Sequence, residues 1–149
     1  MTKTLTLLCA TITLFSTVPA AQAGDVISFH SPTKSVWCAI IAPTHFRHAS
    51  PTKAYLRCDI PNNTAVLPPE PEYCKDTGDW GAGFGIEANG YPSRACPSDT
   101  SATPAGRTLQ YGETIRAFGF HCTSRRTGMT CMSSKGHGFT VRREAQRLF

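Results

Sequence analysis

The clearest alternation of apolar and polar positions along the chain lies between Phe118 and Phe139. Phe118, Phe120 and Cys122 alternate with Gly119, His121 and Thr123, the two-residue period of a strand with one buried face. After the polar link Ser124-Arg125-Arg126-Thr127-Gly128, Met129 and Cys131 carry the same period. The pattern predicts a hairpin in which Gly128 supplies the positive φ that such turns require. Eight residues separate Cys122 from Cys131. An even-length connection places the two cysteines directly opposite, within the Cα separation of roughly 4.4–6.8 Å that a disulfide tolerates. A bulge at Gly128 would shift the parity by one residue without leaving that range. Gly136-His137-Gly138 reads as a tight turn into a third strand, Phe139–Val141, and Arg142–Phe149 as one helical turn or a strapped tail.

Upstream, Val26–Phe29 predicts a strand, Ser31-Pro32-Thr33 a turn, and Ser35–Ile41 a second strand whose alternate residues are apolar on both sides, implying burial of both faces. Ala54–Ile60 predicts a third strand that can pair with the second and bring Cys38 and Cys58 together, after a loop that holds His45 and His48. Four prolines in Pro61–Pro71 exclude a regular central element, so this stretch is expected to cross between two halves of the sheet system. Trp80, within glycine-rich Cys74–Gly85, is expected to anchor that stretch at the edge of the core. Asn89-Gly90 marks a hairpin joining Gly85–Ala88 to Tyr91–Ala95, and Thr114–Ala117 leads into the Cys122–Cys131 hairpin. No helical period is sustained beyond residue 23. The expected fold is all-β: a small disulfide-stapled sandwich or barrel of about eight short antiparallel strands.

The first residues change the picture. Lys3, a short apolar run diluted with threonines, and Ala21-Gln22-Ala23 make a secretory signal peptide, residues 1–23, cleaved after Ala23. The run is too short for a bilayer span, which needs about 20 apolar residues. Leu7-Leu8-Cys9 comes too early in the chain for a lipoprotein box. Residues 24–149 then form a single disulfide-rich β domain, 126 residues with six cysteines and a net charge of +4. An even cysteine count in an exported chain implies three disulfides rather than a metal site, and no C-x-x-C pair argues for zinc or redox chemistry. Six cysteines allow 15 connectivities. Sequence proximity and strand logic favour Cys38–Cys58, Cys74–Cys96 and Cys122–Cys131. The product is expected to be secreted or periplasmic, a monomer, with no cofactor and no metal.

Taken together, Phe29, Ser31-Pro32, Cys38, Arg57-Cys58-Asp59-Ile60, Cys74, Asp79-Trp80-Gly81, Cys96, Asp99-Thr100, Leu109, Tyr111-Gly112, Phe120 and Cys122 form an ordered set. With Ser124, Gly128, Thr130-Cys131, Gly136-His137-Gly138-Phe139 and Leu148-Phe149, it resembles a family of small exported bacterial proteins, common in actinomycetes and their relatives, catalogued as a domain of unknown function. The sequence departs from that pattern at Lys34-Ser35-Val36-Trp37, where the family more often has a Gly-Asn-aliphatic stretch, and in its longer histidine-containing loop. The resemblance implies the same three disulfides and brings no activity.

Candidate chemistry is sparse. His137 could act as a general base oriented by Asp99 or Asp59, which would make a small secreted hydrolase of ribonuclease-like chemistry. Gly-His-Gly is equally what a tight turn looks like. His121 falls opposite the apolar face, and His45 and His48 lack a third metal ligand. No G-x-S-x-G elbow exists, and Ser124 reads as a turn residue. Asp59, Asp79, Glu87 and Asp99 are scattered carboxylates that could pair for glycoside hydrolysis.

Charge is segregated: Glu70–Asp99 is acidic, whereas beyond Arg116 only Glu144 opposes the bases Arg125, Arg126, Lys135, Arg142, Arg143 and Arg147. This basic face is the candidate binding surface, through Arg125, Arg126, Lys135, Arg142 and Arg143, for an anionic envelope polymer or a protein partner. Nucleic acid is disfavoured because no aromatics interleave with the arginines. The reading favours a binding or structural module of the cell envelope over an enzyme.

The exported protein should therefore have the mass of a chain starting at Gly24 and lighter by six hydrogens, one pair for each of the three disulfides. Non-reducing peptide mapping should join Cys38 to Cys58, Cys74 to Cys96 and Cys122 to Cys131. A free thiol at any of these positions would overturn the framework.

Overall fold

The computed structural model describes residues 25–43, 53–76 and 78–149. The signal-peptide segment, His45 and His48 lie outside the described residues. Among the described residues, eleven strands form two sheets. The first sheet holds β1 (Val26–His30), β2 (Trp37–Ile41), β3 (Tyr55–Asp59), β4 (Gly83–Glu87), β5 (Ser93–Ala95) and β6 (Arg107–Thr108), in the order β5-β4-β3-β2-β1-β6. The second is a meander of β7 (Thr114–Ala117), β8 (Phe120–Arg125), β9 (Gly128–Ser133), β10 (Gly138–Arg142) and β11 (Ala145–Leu148). The expected all-β sandwich is thus present, with more strands than eight because two- and three-residue edge strands carry little apolar signal of their own. One pairing departs from the antiparallel rule: β6 adds to the edge of β1 in parallel.

Two disulfides face one another where the sheets meet. Cys38 pairs directly with Cys58 across β2 and β3, and Cys122 with Cys131 across β8 and β9, with Cα separations of 4.0 and 4.1 Å. These are the shorter spacings of non-hydrogen-bonded positions in an antiparallel ladder. The Sγ atoms of Cys58 and Cys131 lie 3.9 Å apart, all four cysteines are fully buried, and Phe84 of β4 meets Phe139 of β10 at 5.8 Å between ring centroids. Ile40, Leu56, Ile86, Met129 and Val141 complete the apolar layer. Cys74–Cys96 closes outside it, joining a 3-10 turn (Glu72–Cys74) to the end of β5.

Four expectations are corrected. Phe118 is not a strand residue: with Gly119 it forms the β7–β8 turn, both at positive φ (46° and 85°), so the Phe-x-Phe alternation overran a hairpin. Ser124 is not in a turn but faces inward on β8, 1% exposed. Residues 142–149 form no helical turn; Arg143-Glu144 reverses the chain and β11 pairs along β10, with Phe149 and Gly138 exchanging backbone hydrogen bonds. Pro61–Pro71 does not pass between the sheets, since β3 and β4 are neighbours in the same sheet. It is an excursion whose Pro68 carbonyl accepts the Trp80 indole N–H at 2.9 Å, so Trp80 anchors this excursion rather than the core.

The outer face of the first sheet is covered by the segment 98–106, which carries the chain from β5 to β6 on the opposite edge. Arg57 projects outward from β3 and holds this strap: its Nε and NH2 donate to the two oxygens of Asp59 at 2.8 and 3.0 Å, and its NH1 donates to Asp99 Oδ1 at 2.7 Å. Asp59, 3% exposed, also accepts the Ser101 backbone N–H, and the Ser101 hydroxyl donates to the Trp37 carbonyl. Arg57 thus links a buried and an exposed carboxylate through one fork.

Arg57→Met leaves the Asp59 carboxylate buried without its cation and should cost about 3–5 kcal/mol in urea-unfolding experiments. Asp99→Asn, at the exposed end of the network, should cost no more than about 1 kcal/mol. Hydrogen bonding from Arg57 holds the Asp99 carboxyl below its ordinary value. Its contribution is therefore present above the unfolded-state value of about 3.9 and is lost as pH falls through the lower folded value. The urea midpoints of wild type and Asp99→Asn should converge in acid and separate towards neutrality.

Candidate functional site

The strand directions bring three connections to one end of the sandwich: the β1–β2 turn, the β8–β9 tip and the β10–β11 tip. They enclose a cleft of about 310 Å³. One wall is Ser31, Thr33, Ser35 and Val36; the other carries Arg125, Arg126, Arg142, Arg143 and Glu144, with Tyr111 and Met129 also in the lining.

The hydroxyl wall is built by a tight turn. Lys34 N–H donates to the Ser31 carbonyl, Ser31 N–H to the Val36 carbonyl, and Val36 N–H to Ser31 Oγ at 3.2 Å. Lys34 takes φ 56° to complete it. Thr33 Oγ1 and Ser35 Oγ lie 2.9 Å apart, and Ser31 Oγ sits 3.4 Å from Thr33 Oγ1. Each hydroxyl can donate and accept, so the wall presents both roles.

The cationic wall follows from hairpin geometry. Arg126 and Thr127 are the two residues between the Arg125–Gly128 pair, with the positive φ at Gly128 (131°), as the even-length connection predicted. Arg126 lies with Cζ 5.1 Å from the Tyr111 ring centroid, a cation–π contact that holds the guanidinium against the cleft. Tyr111 is itself placed by its turn, in which Gly112 N–H donates to the Ser124 carbonyl and Ser124 N–H to the Glu113 carbonyl. At the other tip, Arg143 Nε donates to Glu144 Oε1 at 2.9 Å, and Arg142 Nε lies 3.9 Å from Glu144 Oε2. The Arg143 hydrogen bond keeps the Glu144 carboxyl below the usual carboxylate range.

Four of the five basic residues named from the sequence therefore share one cleft. Lys135 does not: it sits in the β9–β10 turn at the opposite end of the sandwich. His137 is at that far end too, its ring 4.1 Å from the ring of Tyr91. No hydrogen bond or ion pair joins His137 to Asp59 or Asp99, whose carboxylates are committed to Arg57. Asp59, Asp79 and Asp99 do line a second, smaller cleft of about 130 Å³, whereas Glu87 lies elsewhere, 3.9 Å from Lys53 Nζ. His121 is half-buried on β8, beside Arg116 and Met132.

Sequence reasoning missed the hydroxyl wall, Tyr111, and the role of Glu144. It also passed over His30, the one strongly buried histidine among the described residues. Its Nδ1–H donates to the Ser31 carbonyl at 2.9 Å, which can only accept, leaving Nε2 facing the Thr108 hydroxyl at 3.4 Å. His30 thus fastens the hydroxyl turn to β6.

The lining of this cleft is chemically suited to an anion rather than to proton transfer. Guanidinium groups remain charged and only donate. Its lining contains no histidine, cysteine or aspartate, and Glu144 is made a poor base by Arg143. Among the described residues, the cluster of side chains close enough to hold a metal ion is Cys38, Cys58 and Cys131. All three are in disulfides and present no thiolate.

The chain belongs to the Family of unknown function (DUF6636), whose sequence model matches residues 8–149. The resemblance read from the sequence and the three disulfides observed here agree with that membership. No curated protein and no solved structure matches the chain.

His137→Ala removes a tilted ring–ring contact with an exposed tyrosine and should lower stability by about 0.5–1.5 kcal/mol, measured by urea unfolding. A loss well beyond that would mean that His137 supports more of the β9–β10 turn than its contact with Tyr91.

Proposed function

We propose that this protein is an exported module of the cell envelope that binds an anionic group of a partner polymer in the arginine cleft. One observation carries the reading: Arg125 and Arg126 from one hairpin tip and Arg142 and Arg143 from another line a single cleft with one acid among them. Gathering four like charges at one end raises the self-repulsion of the folded state, and a bound anion relieves it. The lining supports binding rather than hydrolysis, since it offers neither an activated nucleophile nor a competent base. A single aromatic, Tyr111, argues against a nucleic-acid stacking platform.

Export is supported by the leader-like first 23 residues and by three disulfides, which persist in oxidising compartments. Among the described residues, no helix is long and apolar enough to cross a membrane. In this reading the protein acts as a monomer, without a cofactor.

Retention on immobilised heparin, a generic anionic polysaccharide, tests the cleft. Wild type should elute at clearly higher salt than the Arg125→Gln/Arg126→Gln double variant, because exposed charge contacts are screened by salt. Lys135→Gln should elute with wild type. Equal losses from the double variant and from Lys135→Gln would mean diffuse basic charge instead of a site.

A further inference from the structure

The cleft is electrostatically lopsided. Among the described residues, neither Arg125 nor Arg126 has a carboxylate within ion-pair distance. Arg142 and Arg143 share one, Glu144, at 3.9 and 2.9 Å. One half of the site is open to an incoming anion; the other already holds a carboxylate supplied by the chain. Glu144 is about half exposed, so no packing locks it in place and its hold on the arginines is electrostatic.

A tethered group competes at high effective concentration. Glu144 therefore prevails over a free carboxylate, of equal charge and equal shape, for the same two guanidiniums. A free carboxylate can still approach Arg125 or Arg126, but it brings only two acceptor oxygens and a single negative charge to the pair. A phosphoryl monoester brings three terminal oxygens and a charge of about −1.5 to −2 at neutral pH. It can take both open guanidiniums and still attract Arg142 or Arg143 away from Glu144. Opposite the cations stand the hydroxyls of Thr33 and Ser35, backed by the buried Ser31 hydroxyl, and they suit the hydroxyls of a sugar or polyol. A volume of about 310 Å³ is at the small end for ligand sites, enough for one monosaccharide-sized group.

Resting on the anion-binding reading above, we propose that Glu144 is a built-in counter-ion that makes the cleft select a phosphoryl group carried on a saccharide over a carboxylated saccharide. The phosphoryl oxygens engage Arg125 and Arg126, and the sugar hydroxyls face Thr33 and Ser35. A free sugar phosphate and the phosphorylated end of a glycan share this chemistry.

The test is isothermal titration of the mature protein and of Glu144→Gln with glucose 6-phosphate and with glucuronate, above the second phosphate pKa of about 6. Wild type should bind glucose 6-phosphate about tenfold or more tightly than glucuronate. In Glu144→Gln, glucuronate should gain affinity more than glucose 6-phosphate does, so that the preference narrows. Because Glu144 is exposed, the variant should unfold at the wild-type temperature, which separates a binding effect from a folding one. An unchanged preference in Glu144→Gln, or a wild-type preference for glucuronate, overturns the counter-ion proposal. In either case the anion-binding reading stands if Arg125→Gln/Arg126→Gln still abolishes the binding seen. Absence of any binding of either sugar to wild type overturns the phosphoryl-saccharide proposal, and retention on heparin then decides the anion-binding reading separately. Given the expected preference, a phosphorylated oligosaccharide that binds more tightly than glucose 6-phosphate assigns the ligand to a glycan end, and equal affinity assigns it to a free sugar phosphate.

Discussion

Everything in this molecule is registered from the contact between two disulfides. Cys38–Cys58 and Cys122–Cys131 each join residues directly opposite one another in a ladder, and their sulfurs meet between the sheets at 3.9 Å. A one-residue slip in either hairpin would turn its apolar side chains to solvent, and a covalent cross-strand bond forbids the slip. Each bond also restrains the unfolded chain, by about 2–4 kcal/mol. Short strands of five or six residues, which would otherwise pair weakly, are thereby fixed in register on both sides of the core. Phe84 and Phe139 then meet across the same layer, and the hydrophobic core grows outward from the sulfurs.

That constraint reaches the cleft. The β8–β9 bond lies three residues from Arg125, so fixing Cys122 opposite Cys131 also fixes the two-residue tip that presents Arg125 and Arg126. The β10–β11 tip is aligned in turn by the pairing of β10 with β9, Phe139 standing opposite Cys131. On the other side, Cys38 stands opposite Phe29 on β1 and so sets the β1–β2 turn that carries the hydroxyls. Site residues are thus held by ladders that end in disulfides, although none of the lining residues is a cysteine.

Periodicity made the core and the staples legible, because alternation and cysteine spacing are local signals. Cys38–Cys58 could be inferred from two apolar strands, and Cys122–Cys131 from the parity of their hairpin. The failures came where local and tertiary signals compete. Phe118 continued an apolar alternation yet occupies a positive-φ turn, because Gly119 beside it permits the reversal and its ring still packs against the core. The β11 strand was hidden by charge: Gln146 and Leu148 keep the two-residue period, but Arg142, Arg143, Glu144 and Arg147 surround it. The basic face was readable as composition, but its division was not. Lys135 differs from Arg125 only in lying at the other end of a strand, a distinction that exists once the strand directions are known.

The two polar networks show how the same residue types acquire opposite roles. Arg57 is surrounded: two carboxylates use its fork, one of them buried, so the group is structural and its charge is spent within the fold. Arg125 and Arg126 stand at a tip where no described carboxylate lies within ion-pair distance, and Arg126 is steadied instead by the face of Tyr111. An aromatic face orients a guanidinium without neutralising it, which a carboxylate cannot do. Glu144 lies between these cases, close enough to share with Arg142 and Arg143 and exposed enough to yield them. The chain's charge is therefore divided by place: Asp59 and Asp99 are bound through Arg57 into one face of the sandwich, and among the described residues Arg125 and Arg126 are left without an acid at one end, where three turns meet around the cleft.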